Sequence, residues 1–115
     1  MLKISEYLNL DAMGLASGLR NKDFTCSEVI QAAVSRARDV NPSLNAINVE
    51  SFEQAIAQAQ AFDNAPADLQ QSPLAGLPFL IKDLSPVKGL ANSFGSNLFK
   101  GHVATQNSTI VRRYI

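Results

Sequence analysis

Charge excess, paired cysteines and long apolar runs are all missing from this sequence of 115 residues. Ten Lys and Arg side chains balance ten Asp and Glu side chains, and no basic cluster is longer than Arg112-Arg113. That leaves no electrostatic footprint for nucleic acid or an anionic membrane, so neither is expected as a partner and a small or neutral ligand is. The single cysteine, Cys26, cannot close an internal disulfide, and with His102 as the single histidine a Cys/His metal site is short of ligands. No apolar run approaches the ~18 residues of a membrane span, and Glu6 breaks the apolar start that a signal peptide requires. A reducing, cytoplasmic setting is the expectation.

What the chain does have is apolar content. Hydrophobic residues make up 46% and charged residues 17%, with a mean hydropathy of zero. This is the composition of a folded domain with one modest core.

Helix signals dominate the first half. Asp11 is a good N-cap for a short helix to about Arg20, with Leu10 and Leu15 spaced as a hydrophobic staple. Gly14 and Gly18 inside it each cost ~1 kcal/mol relative to alanine, so tertiary packing has to support it. Thr25-Cys26-Ser27-Glu28 is a capping box. It opens a helix whose apolar residues Val29, Ile30, Ala33, Val34 and Ala37 form a stripe, and Asn41-Pro42 is the expected stop. Leu44 to Glu50, with Ile47 and Val49, predicts a strand. Ser51-Phe52-Glu53-Gln54 repeats the capping-box logic and begins a second firm helix carrying the stripe Phe52, Ala55, Ile56, Ala59 and Phe62, and residues 64–73 read as a connector.

The stretch "SPLAGLPFLIKDLSP", residues 72–86, sets the main question. Leu77, Phe79, Leu80 and Ile81 are nearly continuous in apolarity, which predicts a strand over Leu77 to Asp83 covered on both faces, and hence an α/β fold. Alternation puts Lys82 on the face of Leu80 and Asp83 on the face of Phe79 and Ile81, so the two charges point apart. Two readings of Lys82 follow. A sheltered ammonium without a partner tends to lose its proton and become a base; a lysine at a strand end more commonly snorkels to water along its stem.

A resemblance bears on that choice. "FTCSEVIQAAVSRARDVNPSLNAI", "PLAGLPFLIKDL" and "GLANSFGSNLFKGHVATQNSTIVRRY" together resemble, in order and spacing, the amino-terminal part of the amidase signature family of serine hydrolases. Within that family, "PFLIKDL" and "STIVRRY" look more like the broad amidase group that includes aminohexanoate amide hydrolases than like the tRNA-linked glutamine amidotransferase subunit. The resemblance implies a single amidase domain of which residues 1–115 are the amino-terminal portion: a mixed sheet covered by helices, with helices predominating in this segment. It implies hydrolysis of carbon–nitrogen amide bonds in small-molecule substrates, without metal or organic cofactor, by a Ser-cisSer-Lys triad. Lys82 matches the family's lysine, the base.

The two triad serines lie, in the family, in a Gly/Ser-rich segment beyond the lysine that residues 1–115 do not contain. The expectation is therefore a fragment inactive by itself, prone to self-association as a homo-oligomer through uncovered surface. Where the family usually has an acidic residue before the Ser/Thr of "STIVRRY", this chain has Asn107. Two other readings stand beside this one: a non-catalytic helical, dimerising module in which Lys82 is a surface charge, and an amidotransferase-like fragment working with partner subunits and tRNA.

The remaining candidates have plain structural readings. Cys26 falls at a first helical position, where the dipole lowers a thiol's pKa, but no histidine is near it in sequence. His102 reads as a solvated loop residue and Arg112-Arg113 as an exposed helix face. Gly95-Ser96 marks a backbone constraint, and Asn107-Ser108-Thr109 can cap a final helix.

Overall fold

The computed structural model describes residues 1–115, which divide into two units, Met1–Pro78 and Phe79–Ile115. The first holds four helices: α1 (Ile4–Asn9), α2 (Ala12–Asn21), α3 (Cys26–Leu44) and α4 (Phe52–Asp63). The second holds a single 3-10 turn, Asn97–Phe99, and a terminal helix α5 (Thr109–Tyr114).

Local capping chemistry explains where α1, α2 and α3 begin, whereas Ser51, at the start of α4, makes no side-chain capping bond and the capping box expected there does not form. The Lys3 N–H donates to Glu6 Oε2 at 2.8 Å and closes the first turn of α1, an element that the sequence signals did not reveal. Asp11 Oδ1 accepts from the Gly14 N–H at 2.7 Å, as the N-cap of α2. Thr25 and Glu28 form both halves of the capping box: Glu28 N–H to Thr25 Oγ1 at 3.2 Å, and Thr25 N–H to Glu28 Oε2 at 2.9 Å. The Thr25 N–H and the amino-terminal ammonium, 3.2 Å away, hold the Glu28 carboxyl below its ordinary pKa.

Helix α2 ends with Lys22 in the left-handed region (φ 62), its N–H reaching the carbonyls of Gly18 and Leu19. Gly18 is buried because the Phe24 ring lies directly over its Cα; a Cβ at that position would run into the ring. The residue that weakens the helix locally is thus required by what packs on it.

Helix α3 does not stop at Asn41-Pro42 but continues through Pro42 to Leu44. A proline's φ suits a helix, and here its missing N–H deprives only one carbonyl of the last turns. Asn41 then organises the exit. Its Oδ1 accepts from the N–H groups of Ala46 (3.0 Å) and Ile47 (2.9 Å), and its Nδ2 donates to the Ile47 carbonyl at 3.0 Å. Asn45 turns left-handed (φ 49) and donates to the Asn41 carbonyl at 2.7 Å. The strand expected over Leu44 to Glu50 does not form, because a side chain has taken amides that a neighbouring strand would need.

The helices α3 and α4 lie antiparallel: Asp63, at the end of α4, bonds to Cys26, at the start of α3, while Arg38 reaches Glu53 at 3.0 Å and stacks over Phe52 at 5.5 Å. Between them sits the core, Cys26, Ile30, Val34 and Ala59, flanked by Leu19, Phe52, Ala55, Ile56 and Phe62. The stripes read from the sequence meet here. Val29 and Ala32 are buried as well, and α1 packs on α3.

In the second unit two irregular stretches run antiparallel. Asn92 N–H donates to the His102 carbonyl (3.0 Å), Ala104 N–H to Leu90 (3.0 Å) and Ser108 N–H to Pro86 (2.9 Å), around an isolated bridge between Ala91 and Val103. The strand expected over Leu77 to Asp83 is absent. Pro78 has no N–H to give a ladder, a turn closes between the Lys82 carbonyl and the Ser85 N–H at 2.9 Å, and no strand offers an edge. Instead of being covered on both faces, Phe79 and Leu80 are 62% and 69% exposed. These residues therefore form a helix-rich segment without strands, and the α/β expectation is not met within them. No helix is long and apolar enough to cross a membrane.

Two substitutions test this account by urea unfolding followed with circular dichroism. Lys22→Gly relieves a left-handed residue and is expected to stabilise the chain by ~1 kcal/mol. Gly18→Ala is expected to destabilise by ~1–3 kcal/mol in spite of alanine's better helix propensity, because the Phe24 ring must move.

Candidate functional site

Lys82 lies in the turn at 82–85, and its side chain is exposed to solvent. The shelter expected for it is not provided by residues 1–115, since its apolar neighbours Phe79, Leu80 and Leu84 are themselves exposed. Asp83 is bonded to residues 92 and 93, and with no strand formed the alternation expected for residues 82 and 83 does not apply. Asp83 Oδ2 accepts the Ser93 hydroxyl at 2.6 Å and its Oδ1 accepts the Ser93 N–H at 3.0 Å. Asn92, only 2% exposed, donates through Nδ2 to Asp83 Oδ1 (2.9 Å) and to the Asp83 carbonyl (3.0 Å). The orientation of that amide is thereby determined, because a flip would set oxygen against oxygen. Asn92 Oδ1 is left buried without a hydrogen-bond donor.

Ser93, Ser96 and Ser108 serve the backbone. Ser93 Oγ, besides donating to Asp83, accepts the Gly95 N–H at 3.2 Å; Ser96 Oγ accepts from Leu98 N–H at 3.2 Å; Ser108 Oγ accepts from Val111 N–H at 3.5 Å as the cap of α5. Gly95 does mark a tight passage: it has φ 72, and Phe94 before it has φ 54. Asn107 is not the cap. Its Oδ1 accepts the Lys88 N–H at 2.7 Å and ties together the two irregular stretches. A cleft of about 380 Å³ opens beside it, walled by Lys88, Asn107 and Arg112, and Lys82 is not among its walls. His102 is exposed.

Cys26 does occupy the first position of α3, yet the helix dipole does not prevail. The thiol is 4% exposed, with Sγ 3.3 Å from the Gly76 carbonyl, and burial followed by the Asp63 carboxylate pushes its pKa up to about 11. Asp63 accepts the N–H of Cys26 at 2.8 Å, the N–H of Ser27 at 2.9 Å and the Ser27 hydroxyl at 2.5 Å. Neither Asp63 nor the clamp role of Asp83 was foreseen. A signal existed for Asp63: an acid in the last turn of its own helix meets the negative end of the dipole, and such a residue invites a search for a use elsewhere.

Residues 28–115, which include the Lys82 turn and the Asp83 cluster, match the family model described as Amidase. The chain belongs to the amidase family. Among known amidase-family relatives, a glutamyl-tRNA(Gln) amidotransferase subunit from Chromohalobacter salexigens is 36% identical over 99 residues, 86% of this chain and 20% of that protein. Fatty-acid amide hydrolase 2 from Homo sapiens is 32% identical over 112 residues, 90% of this chain and 21% of that protein. An acylamidase from Rhodococcus erythropolis is 34% identical over 105 residues, 90% of this chain and 22% of that protein. The chain thus spans about a fifth of the length of each of these relatives. The amidotransferase, the fatty-acid amide hydrolase and the acylamidase match it nearly equally, so identity does not favour the broad amidase group over the amidotransferase.

In this amidase segment Cys26 precedes the matched residues and has the environment of a structural thiol. It is expected to resist alkylation in the native chain near pH 8, and thiolate absorbance should titrate near pH 11. Asp63→Asn is expected to lower that midpoint, because a carboxylate that penalises the thiolate is gone.

Proposed function

We propose that the chain is the amino-terminal part of an amidase domain that hydrolyses carbon–nitrogen amide bonds of small molecules, with Lys82 as the base of a Ser-cisSer-Lys triad. The observation that carries this reading is the family match across residues 28–115, with the Gly-x-Pro-x-x-x-Lys-Asp pattern, Gly76 to Asp83, inside it. In the proposed reaction a serine hydroxyl attacks the amide carbonyl while its proton passes through the bridging serine to Lys82 Nζ. The proton then returns to the leaving nitrogen as the C–N bond breaks, and water cleaves the acyl ester. Both serines and the oxyanion hole would come from the Gly/Ser-rich segment beyond residue 115, and the mixed sheet of the fold would be completed by the same downstream residues.

A base must be neutral to accept a proton, and in residues 1–115 the Lys82 side chain is exposed to solvent. Its neighbours Phe79, Leu80 and Leu84, 62%, 69% and 57% exposed, are the side chains that would desolvate it once covered. The reading extends to a cytoplasmic enzyme that acts without nucleic acid, membrane or cofactor, and to self-association of the isolated segment through these same side chains.

The exposure of Lys82 favours a second reading, a non-catalytic helical module in which this lysine is a surface charge. Turnover of a panel of simple amides by the full-length protein separates the two. Lys82→Ala is expected to lower kcat by ~10²–10⁴-fold, with an unchanged circular dichroism spectrum, and undiminished turnover would overturn the assignment. Residues 1–115 alone are expected to show no turnover.

A further inference from the structure

Asp83 accepts from two consecutive residues, Asn92 and Ser93, that lie nine and ten positions away, with the Ser93 hydroxyl at 2.6 Å and the Asn92 amide at 2.9 Å. Residue 83 is also the second position of the turn that the Lys82 carbonyl closes with the Ser85 N–H at 2.9 Å. The far end of this latch is anchored in its turn, since the Asn92 N–H donates to the His102 carbonyl at 3.0 Å and Asn92 is 2% exposed. Segment 79–85 has no helix or ladder of its own to hold it. The Asp83 carboxylate is therefore a tertiary tether on the backbone from which the Lys82 side chain departs.

We propose that Asp83 is a positioning residue for Lys82: it acts through hydrogen bonds to Ser93 and Asn92 that hold the 82–85 turn, and not through its charge on the lysine. The inference rests on the reading of Lys82 as the base. A flexible lysine stem can be aimed only from a fixed Cα, and a misplacement of ~1 Å in a catalytic group can cost ~100-fold in rate. Geometry and charge are separable at this site. In Asp83→Asn the amide oxygen can take the place of Oδ1, accepting from Asn92 Nδ2 and the Ser93 N–H, while its NH₂ donates to Ser93 Oγ. That variant keeps the latch and loses the charge, whereas Asp83→Ala loses both.

Two measurements test it. In the 115-residue chain, ¹⁵N relaxation is expected to show a backbone order parameter at Lys82 of ~0.85 in the parent and in Asp83→Asn, falling below ~0.6 in Asp83→Ala. An ordered Lys82 in Asp83→Ala would overturn the latch. Should Asp83→Ala fail to fold, Ser93→Ala, which removes the 2.6 Å bond to Asp83 and the acceptor of the Gly95 N–H but keeps the Ser93 N–H and Asn92 bonds to Asp83, is expected to lower the same parameter partway, and an unchanged value would overturn it.

In the full-length enzyme, Asp83→Ala is expected to lower kcat by ~100-fold with KM little changed, and Asp83→Asn to retain most of the parent kcat. In a Lys82→Ala background the Asp83→Ala change is expected to have no further effect, because a residue acting through Lys82 has nothing left to position. Additive losses, or an Asp83→Asn variant as slow as Asp83→Ala, would overturn the inference. Full turnover by Lys82→Ala would instead defeat the assignment of Lys82 as base, while the order parameters would still report on the latch.

Discussion

The Asp63 carboxylate, set across the amino-terminal end of α3, is the contact on which the helical unit depends. It sits at the carboxyl-terminal end of α4, where its own helix repels it, and crosses to the free N–H groups of Cys26 and Ser27, where the neighbouring helix attracts it. Hydrogen bonds to a charged acceptor contribute roughly 1.5–3 kcal/mol each. The same contact sets α3 and α4 antiparallel, and only in that arrangement do the stripes through Ile30 and Val34 and through Ala55, Ile56 and Ala59 share one core. Its side effect falls on the thiol of Cys26, which is penalised as a thiolate although it stands at a helix start.

The second unit uses the same device on an irregular stretch. Asp83 takes both the N–H and the hydroxyl of Ser93, as Asp63 takes both from Ser27. Regular secondary structure is scarce there, and backbone groups that would otherwise be lost to the ladder of a sheet or the turns of a helix need side-chain partners. Asp83, Ser96, Asn107 and Ser108 supply them. A buried acceptor with no donor, Asn92 Oδ1, is the one side-chain atom this arrangement leaves over.

For an amidase segment the consequence is a division of labour. Through Asp83 the turn at Lys82 is tied to residues 92 and 93, while Lys82 and the apolar Phe79, Leu80 and Leu84 near it in sequence are left in water. Neutrality of an ammonium comes from desolvation, and desolvation requires a cover. On the proposed reading of Lys82, a segment equal to about a fifth of its relatives would carry a base without the environment that makes it one.

Helix starts and helix faces were legible in the sequence because they rest on residues one turn apart: Asp11 with Gly14, Thr25 with Glu28, and the stripe from Phe52 to Phe62. The family of the chain was legible too, from the order of short patterns. Both predicted strands failed for one reason. β-Propensity describes fitness for a pleated neighbour, and whether a neighbour exists is not a local property. Asn41 claimed the amides after α3, and no partner edge met Leu77 to Asp83. Only tertiary structure decided that Gly18 lies under Phe24, that Asp63 caps a helix beginning 37 residues earlier, and that Asp83 grips Ser93, since each joins groups whose meeting depends on the path of the whole chain between them.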